Sequence, residues 1–433
     1  MSAVLAADDD AGCAKQVRLL DEYRRVRAIT VAMTDGLSVE DCMIQSMPDA
    51  SPVKWHLAHL TWFFETFVLE PSIGAAYVPF DASFRVLFNS YYIGVGARHP
   101  RAERGLISRP SLQQVFAYRR AIDDRIADLM TTHALPAAML DVLELGLHHE
   151  HQHQELTLTD LKHHLWKNPA RPTYRDEAAL PRAADAAPMT FIERPEGVAQ
   201  IGAGASGFAF DNERPRHRVW LAPFAIASRI VTCGEYLHFI DGGGYERPEL
   251  WLSDGWDARM RDGWDAPLYW ERDADGAWLV FTLNGLRPLR PAEPLAHVSY
   301  YEADAYARWA GARLPTEAEW ECVAETVDGV APQGGHLYDG VHVHPRAIDE
   351  ASVGSTLHGD VWQWTQSAYL PYPGFETAPG AVGEYNGKFM INQMVLRGGS
   401  CVTPVGHMRS SYRNFFPAQT RWQFSGIRLA RSL

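Results

Sequence analysis

The chain of 433 residues carries a formal net charge of −13, with 46% hydrophobic and 21% charged residues. This length exceeds what one hydrophobic core usually fills, which predicts two domains. The acidic balance and the lack of any basic run exclude a general nucleic-acid binder. No apolar stretch of the sequence approaches the roughly 20 residues of a membrane span, and the acidic N-terminus does not resemble a secretory signal, so we expect a cytoplasmic protein.

The first part of the chain has a helical pattern. Apolar residues at three- and four-residue spacing predict four long helices, which are typical of an antiparallel bundle. The predicted helices are Gln16–Met33, Pro52–Leu69, Leu112–Thr131 and Pro136–Leu165. Between the second and third lies Asp81–Pro110, an insertion rich in Arg, Tyr, Gly and Asn that is longer than a turn requires. Long loops in compact domains are often functional.

A change of composition predicts the domain boundary. Residues 168–190 are rich in Pro and Ala and aperiodic, as in a linker. We therefore predict a helical domain at 14–168, a linker at 169–190 and a second domain at 191–433. The second domain has short apolar segments, many turns and only two clear helical stretches, Cys233–Asp241 and Tyr300–Trp309. This pattern is typical of an irregular α+β fold.

The five cysteines are scattered, odd in number and without a CxxC pair, so a metal site must be built from His and carboxylates. His149 and His153, in LHHEHQHQELT, are one helical turn apart on one face. His59 lies among apolar residues of the second helix. Together these three histidines can form a site with open coordination positions, which is typical of a catalytic metal.

Other interpretations of the histidines stay open at this stage. The HxxxH pair can be a solvated polar turn, and His59 can be a buried histidine that only forms hydrogen bonds. A different triple can also bind the metal, with His56 as the main alternative. Glu150 or Glu155 either accepts hydrogen bonds from the ligand imidazoles or lies on the solvated face. Further histidines in these helices are His148, His151, His163 and His164.

Two sets of motifs resemble known families. The segments SPVKWHLAH and HxxxH resemble an iron-dependent DinB-type helical bundle. The second half contains DNERPRHRVWLAPFAIASRIVTCGEYLHFI, ARLPTEAEWE, HGDVWQWT and LRGGSCVTPVGHMRSSYRN with FSGIRLA, in the order of the formylglycine-generating-enzyme fold, which is C-type-lectin-like. This fusion resembles the sulfoxide synthases of the ergothioneine pathway. The resemblance implies a two-domain protein, an α bundle followed by an α+β domain.

The resemblance also implies a reaction. Members of that family use Fe(II) and O₂ to join a thiol to hercynine, the trimethyl betaine of histidine, and form a sulfoxide. By this match His59, His149 and His153 are the iron ligands. Members that use γ-glutamylcysteine have an acidic residue near the C-terminus, where this chain has Asn414, Phe415, Phe416 and Pro417. The resemblance therefore favours free cysteine as the sulfur donor.

Further site residues follow from the family and from their chemistry. Tyr91 and Tyr92 on the long loop resemble the family's catalytic tyrosine, and the sequence leaves open which one reacts. By resemblance Gln152 and Asn414 bind the hercynine carboxylate. An apolar wall around its methyl groups is predicted from Phe415, Phe416 and Trp422, although core packing explains these residues almost as well. For the donor's carboxylate the candidates are Arg98, Arg101 and Arg104, which otherwise are solvated loop arginines.

Several alternatives remain at this stage. A formylglycine-generating oxidase needs two cysteines for copper, but the corresponding positions hold Thr403 and Met408, and Cys401 stands alone. A zinc-dependent thiol transferase explains the bundle only, and a lectin-like binding module explains the second domain only. Within the family, a selenosugar or γ-glutamylcysteine is an alternative donor, and a 5-histidylcysteine sulfoxide synthase usually has an additional methyltransferase domain. The oligomeric state is not predicted.

Overall fold

A computed structural model describes residues 2–176, 185–327, 335–347, 357–380, 383 and 385–433, with side chains from residue 12 onward. These residues form two compact units. The first ends at Lys167 and includes a short segment that begins at Pro379, and the second begins at Asn168. Part of the predicted linker, residues 177–184, lies outside the described residues. No described helix is both long and apolar enough to cross a membrane.

The first unit is a bundle of four long helices, as predicted. They are α1 (Ser2–Ala32), α2 (Val53–Phe64), α5 (Leu112–Thr132) and α6 (Ala137–Lys167), joined by the short helices α3 (Glu70–Ile73) and α4 (Phe84–Leu87). Helix α2 packs on both α5 and α6, and α1 packs on α6. Every residue of α2 is buried, which is typical of a helix at the centre of a bundle.

Helix ends in this unit follow local rules. Helix α2 begins directly after Pro52, whose fixed φ suits the start of a helix. Its C-terminal end continues into a π-helical turn, Glu65–Leu69, which the sequence pattern does not reveal. Helix α5 has a capping box, in which the Ser111 hydroxyl accepts from the Gln114 backbone N–H and the Gln114 side chain accepts from that of Ser111.

The long insertion is an ordered loop with short 3₁₀ turns at Ile93–Val95 and Arg101–Leu106. The buried amide of Asn89 holds the loop, because its Nδ2 donates to the carbonyl oxygens of Tyr92 (3.0 Å), Gly96 (3.3 Å) and Ala97 (3.3 Å). A side chain that satisfies three backbone acceptors fixes the loop conformation without regular secondary structure. The tyrosine pair therefore lies on a rigid segment.

The second unit contains four small sheets and four helices among its described residues. The sheets have the strand orders β1-β4-β12, β10-β9-β8-β11, β2-β3 and β5-β6-β7. The strands are β1 (Phe191–Arg194), β2 (Gly197–Ile201), β3 (His217–Leu221), β4 (Phe224–Ala227), β5 (Trp270–Arg272), β6 (Trp278–Thr282), β7 (Gly285–Pro288), β8 (Trp362–Ala368), β9 (Met394–Arg397), β10 (Asn414–Phe416), β11 (Ser425–Gly426) and β12 (Ala430–Ser432). The predicted irregular α+β fold is confirmed.

The prediction of only two helices in this unit was wrong. Besides α7 (Cys233–Asp241) and α9 (Tyr300–Trp309), it contains α8 (Ser253–Asp262) and α10 (Glu317–Val327). Helix α8 contains a glycine, Gly255, which made the sequence look like a turn. That glycine is required by packing, because a Cβ atom there would lie 2.6 Å from the Cβ of Tyr301 in α9. Tertiary packing outweighs the low helix propensity of glycine.

Buried arginines support the turns of the second unit. Arg397 donates from Nη1 to the backbone oxygens of Ser411 and Tyr412, both at 2.8 Å, and pairs with Glu321. The similarly buried Arg413 pairs with Glu317 at 2.8 Å. The planar guanidinium satisfies several buried acceptors at once, which explains its use where the chain lacks regular strands.

Candidate metal centre

Two helices of the bundle bring three histidines together. His59 belongs to α2, and His149 and His153 belong to α6. One ligand atom from each lies within 4.8 Å of the other two. The ring centroids are 5.1 Å apart for His59 and His149, 4.8 Å for His59 and His153, and 4.6 Å for the α6 pair. Since metal–nitrogen bonds are about 2.1 Å long, small side-chain adjustments suffice for one ion to bind all three.

The His59 ring is held in one orientation. Its Nδ1 lies 2.6 Å from the carbonyl oxygen of Phe88. Because a carbonyl only accepts, Nδ1 carries the proton and Nε2 keeps its lone pair. The indoles of Trp55 and Trp62 stack on the ring, with centroid distances of 4.6 and 5.6 Å and interplanar angles of 13° and 16°. The loop and the helix together direct Nε2 as a metal ligand requires.

His56, the main alternative ligand in the sequence, has a different position. Its Nδ1 lies 2.8 Å from Nδ1 of His153, and its Nε2 lies 3.1 Å from Oδ2 of Asp160. Both ring nitrogens of His56 are thus occupied by protein groups. His56 therefore contacts Nδ1 of His153 and not its Nε2.

Burial keeps the three clustered imidazoles neutral. It lowers the pKa of His149 to about 4 and, together with the charge of neighbouring histidines, lowers the pKa of His59 and His153 well below the ordinary value of 6.5. Among the described residues, Nδ1 of His149 is buried without a hydrogen-bond partner. Neutral imidazoles are the form that binds a metal. The donor set therefore fits a divalent transition-metal ion with open coordination positions.

The structure distinguishes Tyr91 from Tyr92. Tyr92 is buried, and its ring contacts Phe67 at 5.0 Å, Trp62 at 5.7 Å and Phe63 at 6.3 Å between centroids. Trp62 and Phe63 in turn contact the rings of His59 and His149. The half-buried Tyr91 accepts a hydrogen bond of 2.8 Å at its hydroxyl from Arg101. Tyr92 therefore belongs to the aromatic shell of the histidine cluster.

The three loop arginines also differ in position. Arg98 donates to the carbonyl oxygen of Ser90 at 3.1 Å, and Arg101, on the surface, donates to the Tyr91 hydroxyl. Arg104 is 5% exposed and donates to the hydroxyls of Ser51 (2.9 Å) and Ser90 (3.0 Å). Its guanidinium carbon lies 3.3 Å from the centroid of the Trp55 ring, which itself stacks on His59. Burial, followed by the charge of Arg101, lowers the pKa of Arg104 to about 9, so it stays charged at neutral pH.

The predicted hercynine-binding residues occupy both units. Gln152 lies in α6 between His149 and His153 and is partly exposed. Asn414, Phe415 and Phe416 form β10, which pairs with β9. One face of the Phe415 ring stacks on Tyr369 at 4.0 Å with an angle of 10°. Trp422 is half-buried in the second unit.

Glu150 does not support a ligand imidazole. Its buried carboxylate accepts from Arg27 at 3.1 Å, from Thr30 at 2.6 Å and from Arg119. Burial raises its pKa, but Arg119 and then Arg27 outweigh this and hold it at about 2. Glu150 thus binds α1, α5 and α6 together in the bundle core.

A carboxylate that the sequence reasoning missed is Asp160, which contacts His56, the neighbour of His153. A signal was present, because Asp160 follows His153 by seven residues and so lies on the same face of α6. Its role also depends on His56, which lies on another helix. Helical periodicity alone does not reveal that contact.

Comparison with known proteins defines the class of protein first. Residues 22–157 match the DinB superfamily model, and residues 177–352 and 354–433 match the model of the sulfatase-modifying factor enzyme 1-like domain. The chain therefore combines a DinB-type bundle that contains a three-histidine cluster with a sulfatase-modifying-factor domain.

Curated relatives define the family. The chain is 32% identical to hercynine oxygenase of Mycobacterium tuberculosis over 94% of this chain and 96% of that protein. Its identity to hercynine oxygenase of Mycolicibacterium smegmatis is also 32%, over 95% of this chain and 98% of that protein. Ergothioneine biosynthesis protein 1 of Schizosaccharomyces pombe is 28% identical over 52% of this chain and 28% of that protein. This chain belongs to the hercynine oxygenase family.

Proposed function

We propose that this protein is an Fe(II)- and O₂-dependent enzyme of ergothioneine biosynthesis that joins cysteine to hercynine and forms hercynylcysteine sulfoxide. The observation that most supports this proposal is the cluster of three neutral, buried histidines. The chain is also related to hercynine oxygenases over nearly its whole length. The reaction balances with O₂ as the only oxidant. One oxygen atom goes to sulfur, and the other takes the thiol hydrogen and the imidazole C–H hydrogen as water.

The proposed metal ligands are His59, His149 and His153. Three neutral imidazoles also bind zinc, copper or nickel, so the donor set does not select iron. The assignment of iron is supported by the relatives, whose name, hercynine oxygenase, indicates a reaction with O₂. When bound, Fe(II) supplies adjacent sites for a thiolate, an imidazole and O₂, together with one-electron chemistry. The chain's own part is to keep the three imidazoles neutral and oriented before the metal binds.

Arg104 is the strongest of the three donor-binding candidates. It is a buried cation whose described hydrogen bonds go only to two serine hydroxyls. Its guanidinium lies over the ring of Trp55, which stacks on His59. The described residues form no ion pair with Arg104, although the charge of Asp160 acts on it, and a substrate carboxylate would lower the cost of burying this cation. Arg101 and Arg98 lie nearer the surface, where they attract the carboxylate of the donor.

For the tyrosine pair we propose a division of roles. The Tyr92 phenol is the proton or hydrogen-atom donor during oxidation, which its burial in the aromatic shell of the cluster supports. Tyr91 positions Arg101 through the hydrogen bond at its hydroxyl. An acidic side chain is missing from the segment Asn414–Pro417, which supports free cysteine over γ-glutamylcysteine.

For hercynine we propose candidate binding residues in each domain considered by itself, with the predicted limits 14–168 and 191–433. In the first domain Gln152 offers an amide donor to a carboxylate, and in the second domain Asn414 offers one. Apolar contact with the methyl groups is assigned to Phe415, Phe416 and Trp422. The ring of Phe415 already stacks on Tyr369 at 4.0 Å and lies 5.9 Å from the ring of Phe389, so it belongs to an aromatic cluster of the second unit.

The decisive experiment measures O₂ uptake. Protein loaded anaerobically with Fe(II) is given hercynine with cysteine, γ-glutamylcysteine or a selenosugar, and the products are identified by mass spectrometry. We expect uptake that depends on hercynine and a sulfoxide with cysteine. A selenium adduct or a γ-glutamyl product would change the donor, whereas no uptake with any donor, alongside thiol transfer by the zinc form, would replace the proposal with a thiol transferase.

A further inference from the structure

Asp160 lies at the junction of two hydrogen-bond chains in the helical unit. It belongs to α6 and is 3% exposed. Its Oδ2 accepts from the backbone N–H of Ser51 at 2.8 Å and from Nε2–H of His56 at 3.1 Å. One carboxylate oxygen therefore holds both a helix side chain and the segment that precedes α2.

The first chain leads to a metal-ligand candidate. A carboxylate only accepts, so the His56 proton on this side is on Nε2. In the neutral imidazole Nδ1 is then an acceptor, and it lies 2.8 Å from Nδ1 of His153. His153 donates its Nδ1–H, which leaves Nε2 of His153 unprotonated. Asp160 thus selects the tautomer of His153 through His56.

The second chain leads to the donor-binding candidate. The Ser51 hydroxyl accepts from Nη1 of Arg104 at 2.9 Å, and the guanidinium lies over Trp55, which stacks on His59. The backbone of Ser51 is held on both sides, because its carbonyl also accepts from Nε2 of His164 at 3.1 Å. The position of the Arg104 charge therefore depends on the bond from Ser51 to Asp160.

We infer that Asp160 is a positioning residue that acts on two sites, orienting the ligand His153 through His56 and the donor-binding Arg104 through Ser51. This inference rests on the proposed function, which assigns His153 as a metal ligand and Arg104 as a binding residue for the sulfur donor. A purely structural aspartate would stabilise the bundle without changing either affinity. The two chains begin at the same oxygen and end in different groups, so separate variants can interrupt each one.

The test measures binding and does not require turnover. Full-length metal-free protein is titrated with Co(II), and affinity and the d–d spectrum are recorded. The Co(II) protein is then titrated with L-cysteine, whose thiolate gives a sulfur-to-cobalt charge-transfer band. The variants are Asp160→Ala, Asp160→Asn, His56→Phe and Ser51→Ala. The control is Thr159→Ala, because Thr159 is similarly buried in α6, and among the described residues its hydroxyl donates only to the backbone carbonyl of Glu155.

We expect His56→Phe to weaken Co(II) binding by 10- to 100-fold, the range typical of residues that support metal ligands, with an altered d–d spectrum. Ser51→Ala should keep Co(II) affinity and weaken cysteine binding by roughly tenfold. Asp160→Ala should weaken both Co(II) binding and cysteine binding. Asp160→Asn, which retains one oxygen acceptor, should weaken both affinities to a smaller extent. If the Ala variant does not fold, the Asn variant decides.

A folded Asp160→Ala or Asp160→Asn protein with wild-type affinity for Co(II) and cysteine overturns the inference, as do equal losses in Thr159→Ala. The proposed function fails separately. Wild-type protein that binds both probes but consumes no O₂ with hercynine would contradict the reaction, and the pattern of affinities would still decide the role of Asp160.

Discussion

The histidine cluster combines neutral imidazoles with neighbours that fix their proton positions. The pKa of His149 is held near 4 by burial, so protons do not compete with a metal at neutral pH. His59 and His153 each use Nδ1 for a protein hydrogen bond. At the scale of single residues, the site is therefore prepared for a metal by the protein alone.

Replacing a histidine of the cluster by alanine should abolish metal binding while the helices remain folded. In His149→Ala or His153→Ala, two imidazoles are left, which is too few to retain the ion against a chelator. Bound iron after dialysis and helical circular dichroism are the measurements. His133→Ala, at an exposed histidine, is the control and should bind iron normally. Stoichiometric iron in either cluster variant would refute the ligand assignment.

The two tyrosines should respond differently to loss of the hydroxyl. In Tyr92→Phe, we expect substrate binding to be retained and sulfoxide formation to fall about 10²-fold or more, with diversion to cysteine sulfinic acid, because the proton or hydrogen donor is gone. In Tyr91→Phe, we expect a higher KM for the sulfur donor with a smaller effect on kcat, since Arg101 loses its hydrogen bond to the Tyr91 hydroxyl. Unchanged products from both variants would contradict these roles.

At the scale of elements, the π-helical turn after α2 shapes the loop that contains the tyrosines. Its first residue, Glu65, accepts from the Tyr77 hydroxyl at 2.7 Å, from the Phe80 backbone N–H at 2.8 Å and from Tyr118. The same turn directs Phe67 against Tyr92. Such turns often occur at functional sites, and here the turn links α2, which contains the candidate ligand His59, to the tyrosine loop.

Close contact between α2 and α6 depends on Gly146. A Cβ atom there would lie 2.6 Å from Phe64 and 2.9 Å from Phe63, which contacts the His149 ring. Gly146→Ala should therefore lower the free energy of unfolding by about 1–3 kcal/mol, although alanine is the better helix former. Urea denaturation measures the change, and metal affinity should fall with it.

Gly12→Ala is the matched control for this contact. Gly12 is also helical, in α1, and a Cβ atom there would meet nothing within 4 Å. The substitution should be neutral or stabilise the protein by up to about 1 kcal/mol. If Gly146→Ala stabilised the protein as Gly12→Ala is expected to do, helix propensity rather than packing would explain the result at Gly146.

At the scale of the whole molecule, acid stability should depend on buried carboxylates. Glu293 in the second unit accepts from Arg287 at 2.8 Å and from His344 at 3.2 Å. Burial alone would raise its pKa, but the charges of His344 and Arg287 lower it from 4.5 to about 2. A depressed pKa contributes stability above the unfolded value of 4.5, and this contribution is lost as the pH falls towards 2.

Glu293→Gln should therefore lower the free energy of unfolding at pH 7 by an amount on the order of 2 kcal/mol. The difference from wild type should shrink as the pH falls below about 4, because Glu293 of the unfolded wild-type chain then binds a proton, whereas the folded carboxylate, with its pKa of about 2, stays ionised. Urea denaturation across this pH range is the measurement. Glu249→Gln, at an exposed ion pair with Arg247, should change little at any pH. A constant difference from pH 7 to pH 3 would contradict the pKa assignment.

The sequence by itself determined the features that depend on periodicity and local motifs. Spacing of apolar residues predicted the four bundle helices, and the four-residue spacing of His149 and His153 predicted two ligands on one face. The composition change near residue 168 predicted two folding units. Where local signals conflicted with packing, the prediction failed, as for α8, in which Gly255 suggested a turn but fits a tight helix contact.

Only the tertiary structure decided which groups from distant segments meet. It distinguished His56, whose two nitrogens contact His153 and Asp160, from His59, and it assigned Glu150 to an arginine cluster. It also separated Tyr92 in the aromatic shell from Tyr91 at the surface arginine. The physical reason is that periodicity fixes the face on which a side chain lies, whereas its hydrogen-bond partner depends on how other helices and loops pack against that face.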